Sequence, residues 1–277
     1  MKFPHLLASV AAVMLTSTLA FGQTMGGTPA GPTTGGGPTT GGAGTPTKAV
    51  EKDIDLPVDQ PELKVPPAPP KPPEQPPVTP PENPPTIYGK DLTSENGTIF
   101  YVIDISGSMY SGTGSYTTPD GKTASGSKMD RAKAELSKSV LGLPKNFKFN
   151  MLAFDCNVRS WKSSLQQADD PTKNQALAWI STLQPTGATG TGPAMAQALQ
   201  EKGAKLFVLL TDGAPNCGAG DGWGSASCIA AHLSMITTAN SMKATINTFG
   251  IGAYGEFKQF CVNIASQNGP GSYTDVK

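Results

Sequence analysis

What most constrains this chain is a change of pattern at Gly97, beyond which apolar runs alternate with segments of helical period. Thr98–Ile105 (TIFYVIDI) is apolar almost throughout, as expected of a strand buried on both faces. Lys128–Leu141 then places Met129, Ala132, Leu136 and Val140 at helical spacing. Phe147–Phe154 (FKFNMLAF) reads as a second strand, and Val158–Leu165 as a third at an edge. Pro171 opens a helix to about Leu183, since a first-turn residue does not need its N–H. Pro193–Gln200 is a further helix and Lys205–Leu210 (KLFVLL) a buried strand. Ser227–Met242 (helix), Thr245–Ile251 (strand), Phe257–Gln267 (helix) and Gly271–Val276 (a short strand) complete the series. Such alternation predicts an α/β fold: a doubly wound, mostly parallel sheet with helices on both faces.

The residues before this pattern have a different composition, and three regions are expected. Residues 1–22 read as an export signal: Lys2 supplies a positive start, Leu6–Phe21 is mostly apolar, and Ala20 and Gly22 suit a cleavage site. The alternative is an uncleaved membrane anchor, for which the stretch is short and diluted by hydroxyls. Residues 23–92 are expected to be a disordered linker, first a Gly/Thr/Pro tract over 24–47 without the apolar side chains that offset ordering entropy. Proline then fills twelve of the twenty positions 66–85. In polyproline II geometry that run would span roughly 60 Å. It is either a stalk that holds the domain off a surface or a plain connection. Residues 93–277 are long enough for one domain with a single sizeable core.

Charge narrows the partners. With 21 basic and 21 acidic residues the chain has no net charge and no basic stripe, so a nucleic-acid surface is not expected. A membrane is a partner only if the N-terminal signal stays uncleaved. Export would place the chain outside the cytoplasm, as a secreted, periplasmic or envelope-associated protein, where disulfides persist. Four cysteines allow three pairings. Cys217 and Cys228 bracket a glycine-rich loop and are the expected pair, while Cys156 and Cys261 either pair with each other or stay as buried thiols.

The polar clusters fall where a doubly wound sheet binds ligands, at the carboxyl ends of its strands. The first strand ends in Asp104-Ile105-Ser106-Gly107-Ser108 and a later one in Thr211-Asp212-Gly213, while Gly187–Gly192 (GATGTG) precedes a helix. Aspartate and hydroxyl oxygens are hard ligands, suited to Mg²⁺, Mn²⁺ or Ca²⁺. Spacing of i, i+2, i+4 after a strand lets a turn bring three oxygens to one point, and one carboxylate from each strand leaves a coordination position open.

DISGSM, the GATGTGPA loop and LLTDG together resemble the D-x-S-x-S, Thr and Asp elements of the von Willebrand factor A domain family, in that family's order, over about residues 97–277. The resemblance implies a metal-ion-dependent adhesion site in which Ser106, Ser108 and Thr189 offer hydroxyls. Asp104 and Asp212 would be its acidic positions, and a protein partner's Glu or Asp would complete the metal shell. The family loop reads G-G-T-x-x-x-x-A-L, which selects Thr189 over Thr191. Ala188 stands where the second glycine is usual, and Thr191 is expected to help cap the helix that Pro193 opens.

Two loops should border this site: Tyr110–Ser127, and Asn216–Ser227 with Trp223. Tyr110, Tyr116 and Trp223 either line a partner surface, as aromatics often do, or only cover the domain top. Trp161 and Trp179 lie within periodic segments and read as packing. An enzyme is not expected. No G-x-S-x-G elbow or H-E-x-x-H occurs, His5 lies in the signal, and His232 sits mid-helix where a packing or surface role suits it better. Gly121-Lys122-Thr123 lacks the preceding glycine and strand of a phosphate loop. The expected function is metal-dependent protein binding or adhesion by an exported module. The alternative is an envelope scaffold whose metal only stabilises it.

Overall fold

The computed structural model describes residues 84–277 apart from 214, 221 and 223. The expected signal, the Gly/Thr/Pro tract, most of the proline run and Trp223 lie outside the described residues.

Described structure begins with a hairpin, β1 (Thr86–Ile87) and β2 (Lys90–Asp91). Its turn residues Tyr88 and Gly89 both take positive φ, 47° and 70°, as a two-residue hairpin turn requires. Ile87 and Leu92 are buried in the main core, and Tyr88 stacks on Phe249 with ring centres 5.9 Å apart. The core therefore begins before Thr93. Strands of two residues inside a proline-rich stretch carry no periodicity, so composition alone set the expected boundary too late.

β3 (Thr98–Asp104) and a short 3₁₀ turn over Gly107–Tyr110 follow. A second hairpin, β4 (Gly114–Thr117) and β5 (Thr123–Gly126), leads to α1 (Lys128–Leu141). Ser127 caps α1 in a reciprocal capping box with Asp130, which fixes Lys128 as its first residue. Next come β6 (Lys148–Phe154), β7 (Val158–Ser160), β8 (Gln166–Gln167) and α2 (Asp170–Thr182). Asp169 caps α2 and a proline stands in its first turn, as the sequence predicts. The chain ends with α3 (Thr191–Ala198), β9 (Leu206–Thr211), α4 (Ala226–Ala239), β10 (Thr245–Ile251), α5 (Gly255–Gln267) and β11 (Tyr273–Val276).

The main sheet has seven strands in the order β11-β10-β9-β3-β6-β7, with β8 also on β6. All pairings from β11 to β6 are parallel, and β7 and β8 add antiparallel edges. Strand alternation sorts β3 between two cores. Ile99, Tyr101 and Ile103 join Met129 and Leu136 of α1 and Ile180 of α2. Phe100 and Val102 join Met195 of α3, Ile236 of α4 and Phe260 of α5. Helices thus cover both faces, which is why the two innermost strands, β3 and β9, are apolar almost throughout.

From β3 the chain moves one way to β6 and later returns to place β9 on the other side of β3. That reversal opens a crevice at the carboxyl ends of β3 and β9. The sheet itself decides where the polar loops converge.

Candidate functional site

Asp104 ends β3 with no solvent exposure. Its Oδ1 accepts the Ser106 backbone N–H at 2.7 Å. Its Oδ2 accepts the Thr211 hydroxyl from β9 at 2.6 Å. Burial, and then the nearby charge of Asp212, push its pKa up from 3.8 to about 7, against a smaller downward pull from the Thr211 and Ser106 hydrogen bonds. The Ser106 and Ser108 hydroxyl oxygens lie 3.0 Å apart, one buried and the other exposed.

The Thr189 loop is stitched to this first loop by backbone bonds. Thr186 N–H donates to the Ile105 carbonyl at 2.7 Å and Gly107 N–H to the Gly187 carbonyl at 3.0 Å. On its other side Gly190 N–H donates to the carbonyl of buried Asp155 at 2.9 Å. Thr189 is itself buried and gripped by Asn216, whose Oδ1 accepts its N–H at 2.5 Å while Asn216 N–H donates to its carbonyl at 2.9 Å.

Asp212 follows β9 and is also buried. Its Oδ2 meets the Lys128 ammonium at 3.2 Å, and its Oδ1 has no hydrogen-bond partner among the described residues. The next residue must be glycine. Gly213 has φ 94°, and a Cβ there would lie 2.8 Å from the Phe257 carbonyl oxygen and 3.2 Å from Cys261 Sγ.

The fold thus brings Asp104, Ser106, Ser108, Thr189 and Asp212 to the same end of the sheet, on three adjoining loops. The donors are two carboxylates and three hydroxyls, all hard oxygen. Among the described residues no three His, Cys, Asp or Glu side chains gather as a cluster. A cation here would therefore depend on hydroxyl oxygens and water as well as on the two acids. The unpartnered, buried Asp212 Oδ1 fits that requirement, because a buried carboxylate oxygen left without a donor is costly.

Several sequence expectations change. Cys217 does not pair with Cys228; it is bonded to Cys156, across a sequence separation of 61. The loop after β6 and the loop after β9 both fold against Gly190, which brings Cys156 and Cys217 together. Cys228 is a buried free thiol in the first turn of α4, near the Pro215 and Ala219 carbonyls. Cys261 is also a buried free thiol.

Thr191 does not cap α3; it is the first helical residue, after Gly190, and its buried hydroxyl is unpaired among the described residues. His232 packs in the core, where its Nδ1 accepts the Gly192 N–H at 2.7 Å and burial lowers its pKa. Tyr110 is 79 % exposed, two residues after Ser108. Tyr116 instead lies half-buried in β4, lining a groove with Lys133 of α1 and Ile180 of α2.

Sequence reasoning missed Thr211, Asn216 and Lys128, which hold the predicted residues, and exposed Tyr254 after β10. Only Thr211 carried a signal, as the residue before Asp212 at a strand end.

A family model of the von Willebrand factor type A domain matches residues 121–260, half of the chain. The chain belongs to the von Willebrand factor type A domain family. The matched span contains Thr189 and Asp212 and begins after the Asp104–Ser108 loop. Inter alpha-trypsin inhibitor heavy chain 4 of Mus musculus is 31% identical over 141 residues, which are 47% of this chain and 13% of that protein. Human von Willebrand factor A domain-containing protein 3B is 28% identical over 122 residues, 44% of this chain and 8% of that protein. The chain thus spans only a small part of the length of these curated relatives. Among solved structures, a von Willebrand factor type A protein from Catenulispora acidiphila aligns with a TM-score of 0.49 and 21% identity, over 65% of this chain and 38% of that one.

Proposed function

We propose that this protein is an exported binding module that captures an acidic side chain of a protein partner through a divalent cation. Asp104, Ser106, Ser108, Thr189 and Asp212 would hold the ion, and Mg²⁺ or Mn²⁺ suits their oxygens best. The observation that carries the reading is the convergence of these residues at the switch point of the sheet, with one buried carboxylate oxygen of Asp212 unpartnered among the described residues. The bound ion would supply a positive centre with an open coordination position for a carboxylate.

The surroundings support recognition rather than chemistry. Tyr110, 79 % exposed, and Tyr254, 73 % exposed, follow β3 and β10 at the same end of the sheet. Aromatic side chains of this kind anchor interfaces. His232 is committed to packing, and no nucleophile–base pair is present among the residues gathered at the site. Export rests on the N-terminal sequence and agrees with the disulfide, which persists in oxidising compartments. Among the described residues no helix is long and apolar enough to cross a membrane.

The test is capture of proteins from an envelope extract by the wild type and by Asp104→Ala, with Mg²⁺ and with a chelator. Capture that needs both Asp104 and the ion supports the reading. Capture that survives both changes in a folded variant overturns it and favours the scaffold alternative.

A further inference from the structure

Lys128 is the first residue of α1, yet its side chain does not enter solvent as a first-turn lysine ordinarily would. It is 15 % exposed and runs to the buried Asp212, which is 4 % exposed, with Nζ 3.2 Å from Oδ2. Two glycines pack along its stem, Gly112 at ordinary contact distance and Gly252 more tightly. A Cβ on Gly112 would lie 3.5 Å from Lys128 Cε, and a Cβ on Gly252 would lie 3.2 Å from the same atom. Gly112 and Gly252 both have positive φ, 71° and 64°, so both positions favour glycine for backbone reasons as well. The capping box of Ser127 and Asp130 fixes the start of α1, and Lys128 N–H donates to the Ser111 carbonyl at 3.1 Å. Three elements thus aim one ammonium at one carboxylate of the candidate site.

We propose that Lys128 is a tethered counter-cation of the metal site, setting both how tightly the ion binds and how strongly the loaded site attracts a carboxylate. The inference rests on the metal-dependent reading above. The ammonium neutralises Asp212 on Oδ2 and leaves Oδ1 for the ion or its water. It holds an otherwise bare buried carboxylate when no ion is bound, and it opposes the entry of a divalent cation. With an ion held by Asp212 and its neighbours, the ammonium would add one positive charge to the loaded site. Its effect therefore has opposite signs on the two binding steps. That holds whatever the charge of Asp104, the buried acid beside Asp212, because only the difference made by Lys128 is at issue.

Lys128→Met keeps the length and apolar packing of the stem and removes the charge. Free Mn²⁺ measured by electron paramagnetic resonance reads metal affinity directly. Acetate added to the Mn²⁺-loaded protein, followed by water-proton relaxation, reads carboxylate affinity. The expected result is that Lys128→Met binds Mn²⁺ about tenfold or more tightly, since one unit charge a few ångströms from a divalent ion is removed. Acetate binding should weaken in the same variant, and Lys128→Arg should leave both close to wild type. Should Lys128→Met fail to fold, Lys128→Gln carries the same expectation.

Unchanged or weaker Mn²⁺ binding in the charge-removing variant, with wild type binding normally, overturns the role of Lys128 alone. Absence of Mn²⁺ binding in wild type and variant together overturns the metal-dependent reading itself.

Discussion

Asp104 combines full burial with two hydrogen bonds that hold its carboxylate oxygens toward Ser106 in the loop after β3 and Thr211 on β9. Its pKa, raised to about 7 from 3.8 by burial and then by Asp212, has a definite consequence for pH. A raised folded-state value means that the metal-free domain gains from a protonated Asp104 below the unfolded value. That gain is lost as pH rises through about 7. Cation binding needs the carboxylate, so it runs the other way. The rise in melting temperature on adding Mg²⁺ should be larger at pH 8 than at pH 6, and a shift that is equal or reversed would contradict the account. Thr211 acts one step behind. Thr211→Val removes the donor to Asp104 Oδ2 and the acceptor of Gly213 N–H, and should cost about 1–3 kcal/mol in denaturant melts along with a loss of metal affinity. At this scale Asp104, Ser106, Ser108 and Asp212 were legible from their local spacing after predicted strand ends, and Thr189 from the resemblance of its loop to the family's. Asn216 and Lys128 were not. Asn216 acts on Thr189 from 27 residues away and Lys128 on Asp212 from 84, distances that only the folded chain removes.

At the scale of elements, β3, β6, β9 and β10 could be read from their apolar runs, α1 from its period and α2 from the proline in its first turn. The β1–β2 hairpin could not, since two-residue strands have no period to read. Nor could the disulfide, because the contact between the loops after β6 and β9 is made by the Thr189 loop packed between them. Cys217 N–H donates to the Thr189 carbonyl at 3.2 Å, so the Cys156–Cys217 bond braces a residue of the site as well as closing a long loop. Replacing both cysteines by serine should destabilise the domain by up to about 4 kcal/mol in the loop-entropy estimate. Mg²⁺ affinity should fall in the same variant, measured below its melting point. Unchanged affinity in the double variant would show that the bond stabilises the domain without shaping the Thr189 loop. Cys228→Ser, by contrast, should leave the disulfide intact by mass spectrometry.

For the whole molecule, the parallel sheet sets the function-bearing end before any side chain is considered. β3 and β9 diverge in connection, and their carboxyl ends and the loops leaving them carry both acids, the paired serines and exposed Tyr110, with exposed Tyr254 in the loop after β10. The central claim is that these loops form one divalent-metal site. Titration of Mg²⁺ or Mn²⁺ into the full chain by calorimetry, beside Asp104→Ala checked for folding by melting, tests it most directly. The account predicts one ion per wild-type chain and none in the folded variant. Equal binding by the two, or none by the wild type at pH 8, would contradict it.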